Sequence, residues 1–393
     1  MKLTFGDEVE AFRQEFLGWL ADNRPSDEEM AQEPAVSSAH LPGWARRWIR
    51  RMFDAGWLVP GCPPELGGRN AGPVETLVYR EELTKAGIPR TTNPQGLGIV
   101  APSILDYGNE DQIRDYAMPI LHGEKSACLG MSEPGAGSDL ASLSTRAVLD
   151  GDHFVINGQK VWTSGANYAD FCFLFCRTDP EAPKHKGISV VLVDMSTPGI
   201  TVRPIAQIVR PEHPDLNEVF FSDVVVPKEN LVGEMNNGWA MANGSLAHER
   251  GMVWLDFVMT LEDDIASVLA EAPAALGRMA PSERAIVADG LVESIIDATA
   301  ARCFGYRGFA KLVRGGSAPE QALMKAFTSE AKQRLALRAA ELAADRAVDI
   351  GSSPTSDQTW IERYFTSFGG TISAGSSEIQ RNIIAEKVLG LPR

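Results

Sequence analysis

The chain has 393 residues, with 52 acidic against 37 basic side chains and a formal net charge of −15, so nucleic acid and anionic membrane surfaces are disfavoured as its main partners. A hydrophobic fraction of 44% excludes a disordered chain and is sufficient for about two or three packed domains. The cysteines number five, and acids occupy the N-terminus where a signal peptide has basic and apolar segments, so we expect buried free thiols, no membrane span and a cytoplasmic location.

The first predicted domain, residues 1–124, is helical. Apolar residues recur every three or four positions over 7–21, which places them on one face of a helix, and 41–56 and 74–86 repeat this spacing. The connection over 57–68 is rich in proline and glycine and cannot continue a helix. The apolar members of the first face are Val9, Phe12, Phe16 and Leu20.

The second predicted domain, 125–236, is an antiparallel β domain. Asp150-Gly151 and Asn157-Gly158 each lie between short segments of strand-like composition, and such dipeptides favour hairpins because both central turn residues need positive φ. We therefore predict a hairpin at each pair. Further strands are predicted over 170–176, 188–194, 201–208 and 218–226.

The third predicted domain, 237–393, is helical again. The long helical stretches are 241–272, 282–313 and 320–349, with breaks at Pro273 and Gly315-Gly316 and a short last helix after Ser376 or Ser377. The chain therefore reads as helices, then a sheet, then helices, which is an α+β multidomain architecture.

Two segments of the middle domain carry residues suited to a cofactor. Ser132 to Asp139 combines two glycines with two hydroxyls, which would let backbone N–H groups approach a phosphate or a flavin ring; an ordinary interdomain turn is the alternative. Trp162 to Gly165 offers an aromatic face and two hydroxyls at a strand end, with a core tryptophan and a turn as the alternative. A Rossmann unit is excluded because the third glycine and the crossover helix are missing.

Glu249 is the candidate general base. At helical spacing it is the only polar member of an apolar stripe, and burial raises the proton affinity of a carboxylate, which suits a base that works near neutral pH. Arg250 beside it would offset charge or hold an anionic ligand, and an ion pair on a solvent-facing helix edge is the alternative. The other members of the stripe are Ala242, Leu246, Val253 and Phe257.

The segment from Gly375 to Asn382 precedes and opens the predicted last helix. Ser376 and Glu378 would serve there as N-cap and first-turn acid, and capping alone is the alternative to a ligand contact. The six histidines are scattered and form no cluster with the spacing of metal ligands, so we predict no metal site.

Six segments, in the same order, resemble the acyl-CoA dehydrogenase family over nearly the whole chain. They are Gly56-Trp-Leu-Val-Pro60 with Pro64-Glu-Leu-Gly-Gly68, Met131-Ser-Glu-Pro-Gly-Ala-Gly-Ser-Asp139, Asn157-Gly-Gln-Lys-Val-Trp-Thr-Ser164, Val219-Phe-Phe-Ser-Asp-Val-Val-Val-Pro227, Asn230-Leu-Val-Gly-Glu-Met-Asn-Asn-Gly-Trp239 and Gly375-Ser-Ser-Glu-Ile-Gln-Arg-Asn-Ile-Ile384. The resemblance implies the family fold: an N-terminal helical domain, a middle antiparallel β domain and a C-terminal domain like a four-helix bundle.

The resemblance also implies an FAD enzyme that converts an acyl-CoA to the 2,3-enoyl-CoA and passes electrons to an electron-transfer flavoprotein. A carboxylate removes the α-proton and the β-hydride passes to flavin N5. By resemblance, FAD is bound between the β domain and the C-terminal helices by Leu129, Met131, Ser132, Gly137, Trp162, Thr163, Ser164, Ser376, Ser377 and Glu378. The substrate is bound by Ser138, Arg250, Ala374 and Gly375.

The position of the base departs from the common family pattern. Many members carry it as glutamate just before the last helix, where this chain has Ala374. A minority place it on the helix that opens the C-terminal domain, which here implies Glu249, the residue already singled out from helical periodicity. Ala374 keeps its backbone N–H, which in the family polarises the thioester carbonyl together with a ribityl hydroxyl.

Two elements that the family donates across a subunit interface are altered. An Arg-x-x-Phe-Gly…Gln stretch is not evident, and a Gln-x-x-Gly-Gly-x-Gly segment is replaced by Val348 to Pro354. Such a pattern resembles actinobacterial dehydrogenases that pair two different subunits and act on bulky thioesters such as steroid side chains. The expected assembly is a homotetramer, with Arg302 or Arg307 as local substitutes, or an α2β2 heterotetramer with a related subunit. The alternatives are a non-catalytic subunit that completes a partner's flavin site, and an oxidase or flavin monooxygenase of the same fold.

Overall fold

The computed structural model describes residues 5–88, 92–243, 253–316, 318, 322–343 and 358–392. By its internal packing the chain divides into two compact units, and the second holds the C-terminal helices. None of the described helices is long and apolar enough to cross a membrane.

The N-terminal helices follow the amphipathic spacing of the sequence. Phe16 of the first helix is fully buried, and its ring lies 4.8 Å from that of Trp57 and 4.7 Å from that of Tyr79, so one aromatic cluster joins three segments. The helices are α1 (Asp7–Asn23), α2 (Asp27–Gln32), α3 (Gly43–Asp54), α4 (Pro73–Lys85), α5 (Ala101–Tyr107), α6 (Glu110–Gln112) and α7 (Met118–Leu121). One π-turn, Gly96–Val100, leads into α5, and another, Ile113–Ala117, joins α6 to α7.

The middle of the chain forms one seven-stranded sheet. The strands are β1 (Ala127–Gly130), β2 (Arg146–Asp150), β3 (His153–Lys160), β4 (Phe171–Arg177), β5 (Ile188–Asp194), β6 (Ile200–Pro204) and β7 (Asn217–Pro227). Their order is β1-β4-β2-β3-β7-β6, with β5 also paired to β4. Most pairings are antiparallel as predicted, whereas β1 runs parallel to β4 and β2 makes one parallel bridge to it.

The prediction of two hairpins is half right. Asp150 pairs with His153 across a tight turn, which confirms the first hairpin. The second is wrong, because β3 continues through Asn157 and Gly158 and the register against β7 shifts there as a bulge. A Cβ at Gly158 would lie 2.5 Å from Thr145 Oγ1, so glycine is required for close packing and not for a turn.

The second unit is a bundle of helices whose apolar faces meet. Leu261, Leu291 and Leu335, from three different helices, are buried in one cluster, which confirms the predicted bundle-like domain. The helices are α8 (Val253–Leu276), α9 (Pro281–Val313), α10 (Ala322–Ala343), α11 (Trp360–Ile372) and α12 (Ser377–Ile383).

Two smaller predictions are wrong in detail. Pro273 does not end α8, which continues to Leu276, because a proline one turn from the C-terminus removes only one intrahelical bond. Cys303 is exposed and Cys62 is half-buried, whereas Cys128, Cys172 and Cys176 are buried; all five thiols are free.

Candidate functional site

A buried ion pair fixes the loop that follows β1. Lys160 at the end of β3 is fully buried, and its Nζ donates to Glu133 Oε1 at 2.8 Å and to the Met131 carbonyl at 3.0 Å. The backbone N–H groups of Ser144 and Thr145 donate to the same carboxylate at 2.7 and 2.8 Å. Burial raises the pKa of Glu133, but Lys160 and these hydrogen bonds outweigh it and hold the pKa at about 2.

The ion pair between Lys160 and Glu133 leaves the glycine-rich part of the loop open. A Cβ built at Gly135 or Gly137 would meet nothing within 4 Å, and Ser138 is exposed. Ser132 is half-buried, and its carbonyl accepts a hydrogen bond from Val161 N–H at 2.9 Å. The predicted segments around Ser132 and Trp162 therefore lie side by side. Leu129 on β1 and Met131, just after it, are half-buried.

Trp162 is the most unusual residue of the first unit. Its side chain is 59% exposed although Val161 and Thr163 on either side are buried, and its φ of +61° is in the left-handed region. A bulky residue in that region is strained, and such strain persists only where the surrounding structure enforces it. The alternative of a core tryptophan is therefore wrong, and the exposed indole offers a flat face to a ligand.

Thr163 carries a buried hydroxyl that lacks a partner. The residue is 1% exposed, and its Oγ1 makes no hydrogen bond within the described part of the chain. Its backbone is held on both sides by Asn217, which accepts from Thr163 N–H at 3.0 Å and donates its own N–H to the Thr163 carbonyl at 3.2 Å. This hydroxyl is therefore available to hydrogen-bond a bound molecule.

The turn after Trp162 is anchored to the N-terminal segment. Gly165 N–H donates to the Asp215 carbonyl at 2.8 Å, and the Asp215 carboxylate accepts from Ser37 Oγ and Ser38 N–H at 2.7 Å each. Ser164 lies half-buried within this turn. The geometry around Trp162, Thr163 and Ser164 is therefore set by residues distant in sequence.

In the second unit the predicted residues 374–378 form a turn and the start of α12. Ala374 and Gly375 have φ values of +52° and +90°, and Ser376 caps α12 by accepting from Ile379 N–H at 3.4 Å. Ser377 is buried, and its Oγ has no partner within the described residues. Capping by Ser376 is thus confirmed, but it does not account for Ser377. Glu378 is exposed at the start of α12.

Several predicted positions lie outside the described residues. They are Glu249, Arg250 and the segment 348–354. Arg302, proposed as a local substitute for an interface residue, already donates from Nε to Glu262 Oε1 at 2.6 Å.

Sequence reasoning did not single out Glu133, Lys160, Asn217, Lys325 or Gln380. A lysine at the last position of a strand and an asparagine at the first position of a strand are the only sequence signals for Lys160 and Asn217. Glu133 and Lys325 each bond to another segment, and Gln380 bonds to the Ala374 carbonyl within its own segment.

Comparison with protein families gives three matches that together span nearly the whole chain. The model of the acyl-CoA dehydrogenase N-terminal domain matches residues 6–124, that of the middle domain 128–224 and that of the C-terminal domain 236–389.

Individual proteins match over similar lengths. Acyl-CoA dehydrogenase IpdE1 of Mycobacterium tuberculosis is 34% identical over 98% of this chain and 98% of its own. Among solved structures, the Tcur3481-Tcur3483 steroid ACAD has a TM-score of 0.80 at 30% identity and covers 100% of both chains. The ChsE4-ChsE5 complex from Mycobacterium tuberculosis has a TM-score of 0.76 at 29% identity, again over 100% of both chains.

Proposed function

The chain belongs to the acyl-CoA dehydrogenase family and is an acyl-CoA dehydrogenase, and we propose that it uses FAD to oxidise the α,β bond of a CoA thioester to the 2,3-enoyl-CoA. The observation that carries this proposal is the pair of buried hydroxyls without partners, on Thr163 and Ser377. Both belong to segments predicted to bind the cofactor, and the family is FAD-dependent. The exposed Trp162 adds a planar surface suited to a flavin ring.

The residues around Trp162 would hold the isoalloxazine ring. Trp162 would cover the ring, while hydroxyl groups of Ser132, Thr163 and Ser164 would hydrogen-bond its polar edge. The chemistry that FAD supplies when bound is acceptance of the β-hydride. The remaining proposed contacts are Leu129, Met131 and Gly137 to the ring and Ser376, Ser377 and Glu378 to the pyrophosphate.

Glu249 and Ala374 carry the protein's own part of the reaction. The Glu249 carboxylate takes the α-proton, the electrons of that C–H bond form the double bond, and the β-hydrogen leaves with its electron pair. Negative charge develops on the thioester oxygen as the proton departs, and the Ala374 N–H donates a hydrogen bond there. Arg250, Ser138 and Gly375 contact the CoA thioester.

We expect Thr163→Val to weaken FAD binding without destabilising the FAD-free chain. Valine has nearly the same shape and removes a buried hydroxyl that lacks a partner, so the thermal midpoint should stay equal or rise, while FAD Kd increases about 2- to 10-fold. Fluorescence titration of FAD and thermal unfolding of the FAD-free protein measure the two effects.

Thr178→Val is the matched control for that experiment. Thr178 lies outside the proposed FAD contacts, and its Oγ1 donates to Asn236 Oδ1 at 2.6 Å, so loss of this hydroxyl should lower stability and leave FAD Kd unchanged. Equal FAD affinity of Thr163→Val and the parent protein would contradict the contact.

We propose a bulky acyl group as substrate and an electron-transfer flavoprotein as acceptor. The support for a bulky substrate is the likeness to a protein described as a steroid ACAD and to IpdE1. The support for the acceptor is the family's usual chemistry.

The proposed assembly is a tetramer in which a related second subunit completes the flavin sites. Apolar side chains are exposed along α9, among them Ile286 at 75% and Ile296 at 60%, and such surface is typical of a subunit interface. One similar structure is itself described as a complex of two proteins, ChsE4 and ChsE5. The pairing of Arg302 with Glu262 leaves this arginine engaged within its own chain.

We expect the chain expressed alone to be a flavin-poor dimer, and the chain co-expressed with its related subunit to be an α2β2 tetramer that retains FAD. Missing contacts to the FAD phosphates contribute about 1–3 kcal/mol each where the donor is charged. Light scattering with flavin content checks both states. A stable homotetramer with one FAD per chain and full activity would exclude the second subunit.

Product analysis tests the proposed activity. The FAD-loaded protein is incubated with short, branched, long and steroid side-chain acyl-CoA thioesters and an artificial electron acceptor, and mass spectrometry detects loss of two hydrogens. Enoyl-CoA formed by the chain or its α2β2 complex supports the proposal. If activity survives Glu249→Gln in that complex, this chain is instead a subunit that completes its partner's flavin site.

A further inference from the structure

Lys325 makes one charged hydrogen bond to the turn that contains Ala374. It lies half-buried on α10, and its Nζ donates to the Gly375 carbonyl at 2.6 Å, across 50 residues of chain. No described carboxylate lies within ion-pair distance of this ammonium group. The charge of Lys325 is therefore directed at a backbone oxygen, and a charge-assisted bond of this kind is stronger than a neutral one.

Partial burial of the Lys325 ammonium group carries a desolvation cost. Burial lowers the pKa of Lys325, and the nearby carboxylates of Glu330 and Glu378 offset this only in part. Glu330 is already bonded to Arg381 at 2.6 Å. An apolar side chain at position 325 would avoid the desolvation cost, so the contact with Gly375 is the feature that needs the lysine.

Two side chains hold the turn by hydrogen bonds to its carbonyl groups. Gln380 Nε2 donates to the Ala374 carbonyl at 3.0 Å, and Lys325 holds the next carbonyl. Ala374 has a left-handed φ of +52°, which is unfavourable for a residue with a Cβ and is kept only by such restraints. Within the described part of the chain, the N–H groups of Ala374 and Gly375 have no acceptor, so the turn presents free donors while its carbonyls are tied down.

We propose that Lys325 is a positioning residue of the reaction: by binding the Gly375 carbonyl it fixes the turn whose Ala374 N–H donates to the thioester oxygen. This inference rests on the proposed function. An oxygen that gains negative charge is stabilised only by a donor already in place, and a displacement of about 1 Å costs about 100-fold in rate. Without Lys325, Ala374 is free to relax to an unstrained conformation and its N–H moves.

The test compares Lys325→Met with Lys332→Met in the FAD-loaded protein, with its partner subunit where one is needed. Lys332 lies on the same helix and pairs with Asp264 at 3.4 Å, away from the turn. We expect Lys325→Met to slow flavin reduction at saturating acyl-CoA about 10- to 100-fold while acyl-CoA Kd changes by less than about 3-fold. Lys332→Met should keep the parent rate, and Lys325→Arg should recover part of the loss because arginine also donates to a carbonyl.

A second readout does not depend on activity. The carbonyl stretching frequency of bound 2-enoyl-CoA reports polarisation of the thioester, and it should shift toward the value in water in Lys325→Met alone. A crystal structure of Lys325→Met without ligands should show that Ala374 has lost its left-handed φ. An unchanged turn, or an unchanged rate and frequency, would overturn the role of Lys325. Failure of the parent protein to oxidise any acyl-CoA would refute the proposed function, and the crystal structure would still decide whether Lys325 holds the turn.

Discussion

Glu249→Gln is expected to lower the rate of acyl-CoA oxidation by about 100- to 10,000-fold, because a positioned base contributes that much to proton transfer. Glutamine has the same shape but cannot accept the α-proton. FAD and acyl-CoA binding should persist, since the base acts in the transition state and not in the ground state. Stopped-flow measurement of flavin reduction gives the rate, and equilibrium titration gives the two affinities.

A matched control shows whether the loss of rate is specific to Glu249. Glu283 is exposed in the first turn of α9, so Glu283→Gln removes one carboxylate from a helix of the same domain and should leave the rate unchanged. A near-normal rate of flavin reduction in folded, FAD-loaded Glu249→Gln would refute the assignment of the base.

Lys160→Met is expected to be the most destabilising single change in the first unit. It leaves the buried Glu133 carboxylate without its cation, and breaking a buried pair from one side costs about 3–5 kcal/mol. The free energy of unfolding, measured with urea at neutral pH, should fall by about that amount. FAD affinity should fall as well, because the loop from Met131 onward loses its anchor to β3.

The pH dependence distinguishes the ion pair from simple packing. The pKa of Glu133 is about 2 in the folded chain, below its ordinary value of 4.5, so the stability it contributes is present above 4.5 and is lost as pH falls toward 2. Glu133→Gln should show a weaker fall over that range. The double variant Glu133→Leu with Lys160→Met should be more stable than Lys160→Met alone, because no charge remains buried. Equal stabilities of the double and single variants would contradict this account.

Local patterns were sufficient to predict most of the fold. Periodicity predicts helix α1 because its buried residues, Phe16 and Leu20, lie about one turn apart on one face. Composition predicts strand β5 because six consecutive apolar or small residues are buried on both faces of the sheet. Asn157-Gly158 predicts a turn from the dipeptide alone, whereas the close approach of Thr145, the residue before β2, is a contact between segments that the dipeptide does not show. Pro273 predicts a helix end because the local sequence does not show that the helix continues to Leu276.

The candidate site was predictable only in part. Resemblance indicates Trp162 and Thr163 as flavin contacts. It does not indicate that Trp162 is exposed with a left-handed φ, or that the Thr163 hydroxyl has no partner within the described residues, since both properties depend on packing between segments. Lys160 and Lys325 each act through a contact with a distant segment, and no spacing rule relates such residues. Periodicity proposed Glu249 independently of the family, and its role remains a prediction.

Anaerobic mixing of the FAD-loaded protein with acyl-CoA thioesters tests the central claim most directly. We predict loss of the visible flavin absorbance with one enoyl-CoA formed per FAD, and a slower loss when the α-carbon carries deuterium. With FAD bound and any partner subunit present, unchanged absorbance across short, branched, long and steroid side-chain thioesters would contradict the proposed function.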